Sequence, residues 1–362
     1  MYLKIYFSIC LIIFANFSFA ANAISHAPIG VMGDHYHKAG EKMLSIRYST
    51  MQMKGNSFND NSISDQNIIT DHANPFASMP GAPTNLSVVP KKMEMQMVMV
   101  GGMYAYSDDL TYMSMLMFMK NKMTSNTYKG AMDRAYLGSF QTNLDDLSNI
   151  AFSALFKLYE TNNNRWHLEL GLNKSIGKND NKTIMLTPMN TYMEMTMPYS
   201  MQMDESTRLI SGLTNSRNLD ELVFGSQIKK YTVIDDKDWA FGDKLELSSW
   251  LQKSYDDSLS YSVRLLFTKE QKISGTSSEI TSPVQSANPL NYGGESLKFI
   301  LGANKIFNLF LKEHIRLGFE YVISLEDNKN GLQMDSDDKF IIGYQISLSL
   351  IHISEPTRRR GR

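Results

Sequence analysis

The sequence is nearly free of cysteine, and outside its first residues it has no long apolar run. The only cysteine among the 362 residues is Cys10, which lies in an apolar segment near the N-terminus. A chain without further thiols has no disulfide scaffold, no thiolate metal site and no cysteine nucleophile. Such a composition fits export into an oxidising compartment.

Neither sign of charge is in excess. The 36 basic and 37 acidic residues give a formal net charge of −1, which offers no electrostatic basis for binding nucleic acid. The motifs GxSxG, HExxH and the phosphate-binding loop are also missing. We therefore expect neither a nucleic-acid partner nor an enzyme.

Both ends of the chain call for separate treatment. Residues 1–23 have the pattern of a signal peptide: a lysine, then an apolar run too short to span ~30 Å of hydrocarbon, then small residues. At the other end, residues 348–362 include LSLIHISEPTR, which is similar to the translation of a sequencing-library adapter. We interpret this stretch as an artefact, so its four arginines are not a basic patch.

Between the two ends, apolar and polar residues alternate with period two, which indicates β-strands. Several strands reach thirteen residues, whereas strands of soluble proteins average five or six and a membrane strand needs ~9–11. The twelve predicted strands are 42–54, 92–106, 111–124, 147–159, 165–176, 206–215, 220–233, 238–252, 257–269, 293–307, 312–325 and 337–348.

The connections predict which end of each strand faces outward. Long polar loops at 55–91, 125–146, 177–205 and 270–292 fall on one side, and most short turns fall on the other. Bacterial outer-membrane barrels sort their loops in this way. The sequence thus predicts an all-β fold, a transmembrane antiparallel β-barrel of about 12 strands over 42–347, embedded in outer-membrane lipid. Residues 24–41 would form a periplasmic or lumenal segment, and the oligomeric state stays open.

Four segments carry a resemblance to a known family. They are HAPIGVMGDHYHKAGEKMLSIRY (26–48), MYAYSDDLTYMSML (103–116), LDDLSNIAFSALFKLYE (144–160) and PVQSANPLNYGGESLKFILGAN (283–304). The chain resembles the MetA-pathway of phenol degradation family, which is distantly related to long-chain fatty-acid channels. The resemblance implies an outer-membrane barrel that transports small molecules, and it supplies no binding residues.

Methionine is abundant, with 25 in the chain, and its positions follow strand parity. Equal parity places side chains on one face of a strand. Twelve methionines form a predicted lumenal ladder: Met51, Met53, Met93, Met95, Met97, Met99, Met103, Met113, Met115, Met117, Met119 and Met123. A further group with shared parity precedes the sixth strand: Met193, Met195, Met197, Met201 and Met203.

The ladder is predicted to face inward, because Arg47 shares its parity while Leu44, Ile46 and Tyr48 occupy the opposite face. Thioethers bind Cu(I), and they also form an adaptable apolar lining. The first hypothesis is therefore uptake of copper or another soft metal. The alternatives are a channel for hydrophobic or aromatic small molecules and a structural or adhesive surface barrel. Methionine without a functional role is a further alternative.

A second candidate site precedes the first strand. Three histidines and a methionine lie within twelve residues: His26, Met32, His35 and His37. Imidazole and thioether groups are metal ligands, so this segment is a candidate copper-ion site that would pass metal to the ladder. A solvated loop without a ligand is the alternative.

Overall fold

A computed structural model describes residues 23–131, 133–308 and 314–348, with the backbone alone at 308, 314 and 348. The predicted signal peptide lies outside these residues except for Ala23, and the predicted artefact lies outside them except for Leu348. Among the described residues, no helix is long and apolar enough to cross a membrane.

Twelve long antiparallel strands form one sheet that closes on itself, which confirms the predicted all-β barrel and its strand number. The strands are β1 (Lys42–Phe58), β2 (Val88–Ser107), β3 (Leu110–Tyr128), β4 (Tyr136–Glu160), β5 (Asn164–Ser175), β6 (Thr207–Leu219), β7 (Leu222–Asp235), β8 (Lys244–Asp256), β9 (Leu259–Glu270), β10 (Gly294–Asn308), β11 (His314–Lys329) and β12 (Leu332–Leu348).

Pairing of β12 with β1 closes the ring. In this seam Ile46 lies opposite Tyr344, and on its other side the same residue lies opposite Val100 of β2. Closure gives each of the twelve strands a partner on both sides over most of its length, so the paired backbone N–H and C=O groups need no water. This is the condition for a sheet to cross a lipid bilayer.

The two faces of the wall differ in chemistry. On β1, Leu44 and Ile46 are 54% and 46% exposed, whereas Arg47, the next residue, is 4% exposed. Apolar side chains therefore point outward around the ring and polar ones point inward. Exposed tyrosines stand at the short-turn end: Tyr104, Tyr106, Tyr159 and Tyr344. An apolar belt bounded by aromatic residues matches a bilayer and its interface.

Most connections divide as predicted, with the short turns at one end of the barrel. The predicted long loop 125–146 is reduced to 129–135, because β3 and β4 extend into it, and β11 and β12 join at the outer end by a turn at 330–331. Residues 59–87, 176–206 and 271–293 form the longest outer loops, and 129–135 and 236–243 are shorter. These loops contain an α-helix at Asp65–Asp71, capped by Ser64, 3-10 helices at Tyr199–Met201 and Gln285–Ala287, and short strands at Asn61–Ser62, Lys182–Leu186, Tyr192–Thr196, Trp239–Ala240 and Ser274–Gly275.

The first four strands are longer than the sequence pattern predicted. β4 spans 25 residues, against the thirteen predicted at 147–159, and its added residues rise beyond the apolar belt. The outward pairs there are polar, with Glu94 opposite Lys122 and Gln96 opposite Lys120. Because this part of the wall stands in water, it does not show the apolar alternation from which membrane strands are recognised.

The orientation of the wall can be tested with Ile342→Lys. The side chain of Ile342 is 52% exposed on the outer face, and a lysine in the middle of the bilayer lowers the free energy of unfolding by about 2–4 kcal/mol. Denaturant titration of the barrel folded in lipid vesicles measures this loss. Gln52→Lys, at the outer rim, is the matched control and should cost about 0–1 kcal/mol. Equal costs at both positions would contradict the orientation.

Candidate functional site in the barrel lumen

The ladder methionines occupy the parity of the inward-facing residues of β1 to β3. Met99 pairs with Arg47 on one side and with Met117 on the other, and Met93 pairs with Met53 and Met123 in the same way. The β-strand register thus brings side chains from three strands into contiguous rows. The role of these rows in transport remains a prediction.

The outer end of the ladder is packed into a methionine cluster. Loop 176–206 folds down over the barrel mouth and sets its own methionines against Met93 and Met123, which are 4% and 3% exposed. The buried members of this outer methionine cluster are Met93, Met123, Leu144, Met185, Met197, Met201, Met203 and Met334. Met195 and Met197 therefore lie in or beside a loop hairpin, and only their shared parity was visible in the sequence.

At the short-turn end, the ladder methionines pack against the N-terminal segment and the wall. Met43, Met103 and Met113 are buried with Leu155, and Tyr36 of the N-terminal segment packs against them. Five ladder positions outside the packed ends are only partly buried: Met51, Met97, Met99, Met115 and Met117. These five thioethers are the part of the ladder that remains accessible to a molecule in the lumen.

The opposite wall of the lumen is ionic. Arg264 of β9 donates two hydrogen bonds to Glu320 of β11, from Nε to Oε1 at 3.0 Å and from Nη2 to Oε2 at 2.7 Å. Lys229 of β7 lies 2.7 Å from Glu169 of β5. All four side chains are at most 5% exposed, and pairing offsets the cost of burying their charges.

Residues 23–41 run inside the barrel and close its short-turn end as a plug. The backbone carbonyl of Ala23 accepts hydrogen bonds from Gln252 and Ser260, and that of Met32 accepts from Lys229 at 3.0 Å. The carbonyl of Ala27 accepts a hydrogen bond from Arg316. These donors come from four strands, β7, β8, β9 and β11, so the plug is fixed to this side of the wall.

Glycines on the inner wall make room for the plug. Ile29 is fully buried among Ile300, Val322 and Ile341. A β-carbon added at Gly318 would lie 2.6 Å from the β-carbon of Ile29. The inner face of the wall at this glycine is therefore shaped to fit one side chain of the plug.

The histidines of the plug come together. The rings of His26 and His35 are 4.4 Å apart, and those of His35 and His37 are 4.6 Å apart. The ligand atoms of His26, Asp34 and His35 all lie within 4.8 Å of one another. Burial lowers the pKa of His26 well below its ordinary value.

Asp34 also belongs to this cluster, although it was not among the predicted ligands. One of its carboxylate oxygens accepts a hydrogen bond from the backbone N–H of Ala27 at 2.8 Å and also lies 3.0 Å from Nδ1 of His35. Met32, which was predicted as a ligand, contributes its backbone carbonyl to the wall contacts described above. An acidic residue directly before the second histidine was the available signal for Asp34.

A chamber of about 150 Å³ lies on the outer side of the plug. The plug contributes Gly30, Val31 and Met32 to it, and the barrel wall contributes charged and aliphatic side chains, including Val322 and Lys339. The part of the lumen that the described residues enclose is therefore filled by the plug at one end and open in this chamber.

The wall has a window beside this chamber. β11 pairs with β12 only as far as Val322 opposite Lys339, while farther out the two strands pair with their other neighbours. Farther out, Ser336 donates a hydrogen bond to Asp327 at 3.0 Å, and the two strands join at the turn 330–331. Val322 and Lys339 thus border both the window and the chamber.

A cavity of about 450 Å³ occupies the window. Its lining combines Met51 and Ser324, which share the inward parity, with Thr50 and Phe340, which share the outward parity. The cavity therefore lies within the wall, at the gap between the two strands. Phe340 is 42% exposed at the outer margin of the apolar belt, so the window opens at that margin.

Comparison with solved structures identifies the type of barrel. An outer membrane channel from Pseudomonas putida F1 aligns with 88% of this chain and 100% of its own length, at 11% identity and a TM-score of 0.54. The barrel has an outer-membrane fold. Together with the exposed apolar belt, this fold places it in the outer membrane of a Gram-negative bacterium.

Two further structures are similar at lower scores. A FadL homologue from Pseudomonas aeruginosa covers 86% of this chain and 90% of its own, at 8% identity and a TM-score of 0.39. A mutant of TodX, a monoaromatic hydrocarbon channel, covers 87% and 91%, at 9% identity and a TM-score of 0.40. The sequence matches no protein-family model and no curated protein, so the resemblance to the phenol degradation family remains a prediction.

The fit between plug and wall can be tested with Gly318→Ile. The added side chain takes the space of Ile29, so it should displace the plug and raise the single-channel conductance in planar lipid bilayers. Gly102→Ile is the matched control, because Gly102 has the outward parity of Leu44 and its added β-carbon would approach the Leu44 side chain at 3.4 Å. An unchanged conductance in Gly318→Ile would argue against a seated plug.

Proposed function

We propose that this barrel is an outer-membrane channel for hydrophobic or aromatic small molecules. The window between β11 and β12 carries the proposal, because its cavity lies in the barrel wall next to the chamber above the plug and includes an exposed apolar side chain, Phe340. A water-soluble solute needs a continuous polar pore, whereas an apolar molecule gains free energy by leaving water for the belt. The plug blocks the straight route, which favours passage through the side of the barrel.

The accessible ladder methionines support the same assignment. Methionine is flexible and polarisable, and it adapts its shape to different apolar and aromatic surfaces. The partly buried thioethers of Met97, Met99 and Met117 stand in adjoining strands, across the lumen from the ionic wall. A hydrophobic molecule held in the lumen would contact these side chains on the wall that faces the ionic pairs.

Copper uptake, the first hypothesis from the sequence, has less support than this alternative. At the outer end of the ladder the methionines pack against other apolar side chains in the outer methionine cluster, so their sulfurs contribute to a hydrophobic core.

The adhesive hypothesis rests on the long outer loops. These loops fold over the barrel mouth, where Tyr199, Trp239 and Phe241 pack together.

Substitution of the ladder separates the two cargo hypotheses. Met97, Met99 and Met117 changed together to Leu remove sulfur and keep apolarity, so cells should retain uptake of a radiolabelled aromatic hydrocarbon. The same positions changed to Ser lose about 1–2 kcal/mol of apolar contact each, so uptake should fall strongly. Copper accumulation in the Leu variant is the control. The proposal would be contradicted if the Leu variant lost copper accumulation while the Ser variant kept its hydrocarbon uptake.

Blocking the window tests the route. Ser324→Trp places a large ring in the cavity lined by Met51 and Phe340, and hydrocarbon uptake should drop to the level of cells without the barrel. Ser139→Trp adds the same side chain at an exposed site on β4, away from the window, and should leave uptake unchanged. Full uptake by a folded Ser324→Trp barrel would rule out lateral passage here.

A further inference from the structure

We infer that the plug contains a binding site for a divalent transition-metal ion of the zinc class, formed by His26, Asp34 and His35. This ion is a resident part of the plug and is distinct from any cargo. Two imidazole nitrogens and one carboxylate oxygen are ligands of intermediate hardness. Such a set suits Zn²⁺ and the neighbouring divalent ions of the first transition series. The described residues include no cysteine, so the site has nitrogen and oxygen ligands and no thiolate.

The geometry is close to that of a coordination shell. Tetrahedral bonds of ~2.0–2.1 Å place neighbouring ligand atoms ~3.4 Å apart. The three ligand atoms here lie within 4.8 Å of one another, so small side-chain rotations bring them onto one ion. His37, whose ring is 4.6 Å from that of His35, stands beside the set as a further nitrogen donor.

The histidines also have unsatisfied nitrogens. Nδ1 of His26, Nε2 of His35 and Nε2 of His37 are buried and have no hydrogen-bond partner among the described residues. A buried polar atom without a partner costs free energy, and a bound ion would recover that cost. The backbone N–H of Ala27 holds the Asp34 carboxylate in place, as outer contacts orient the ligands of metal sites.

Neighbouring charges set a limit on affinity. Arg47 and Arg316 are close enough to Asp34 to interact with it electrostatically, and both repel a dication. The site therefore suits an ion that binds strongly to imidazole, and it disfavours hard cations such as Mg²⁺ and Ca²⁺.

An ion in this position would cross-link two parts of the plug. His26 and His35 lie nine residues apart, at the two ends of the turn that carries Ile29 into the glycine-lined site. Binding to the ordered plug and not to a released one stabilises the closed state by mass action. Conductance should therefore rise when the metal is removed.

The test uses the untagged, folded barrel in detergent micelles with Zn²⁺ as the probe in isothermal titration calorimetry. We expect one Zn²⁺ per chain, and His35→Gln should weaken binding by about tenfold or more. His72→Gln is the matched control, since His72 packs against Phe58 outside the lumen, and it should bind as the unmodified chain does. Co²⁺ should give ligand-field absorption bands that disappear in His35→Gln.

Folding of each variant is checked by its heat-modifiable mobility on gels. If His35→Gln does not fold, Asp34→Asn decides the matter, because its amide oxygen still accepts from the Ala27 N–H but is a poorer ligand. Absence of stoichiometric Zn²⁺ binding by the unmodified chain would overturn the site. The site would also be overturned if the variant that folds bound Zn²⁺ with the same affinity as the unmodified chain.

Discussion

The hydrogen-bonded seam between β1 and β12 is the interaction on which the rest of the molecule depends. In a bilayer, an open strand edge would leave peptide groups without partners, so the sheet has to close. In the closed barrel, alternate residues of each strand face lipid and lumen. On β1, Ile46 and Tyr48 face outward, and Arg47 between them is buried. The registers of β2 and β3 then carry this parity across to the methionines.

Closure also creates an enclosed space that the chain has to fill. The plug fills the short-turn end, the ion pairs Arg264–Glu320 and Lys229–Glu169 stand beside it, and the outer methionine cluster fills the mouth. What remains is a small chamber and a window where β11 and β12 separate. The proposed route for apolar molecules follows from the space that these three features leave open.

Much of the fold could be predicted from the sequence because period two is a local signal. The number of strands, the sorting of loops and the parity of Arg47 with the methionines all depend on neighbouring residues. The full length of β4 could not be predicted, since its outer part stands in water. The pairing of Arg264 with Glu320 and the lumenal position of Asp34 depend on residues far apart in the chain, and one sequence carries no signal for such contacts.

Spin-label scanning of residues 93–103 tests the central claim most directly, because the only cysteine of the sequence is Cys10. Each position is changed to Cys, labelled with a nitroxide and folded into lipid vesicles, and collision with oxygen, which concentrates in the bilayer, is compared with collision with a water-soluble nickel complex. Labels at Val98 and Val100 should collide mainly with oxygen, and labels at Met97 and Met99 should not. The opposite phase, or no alternation, would contradict an inward-facing ladder in a closed barrel.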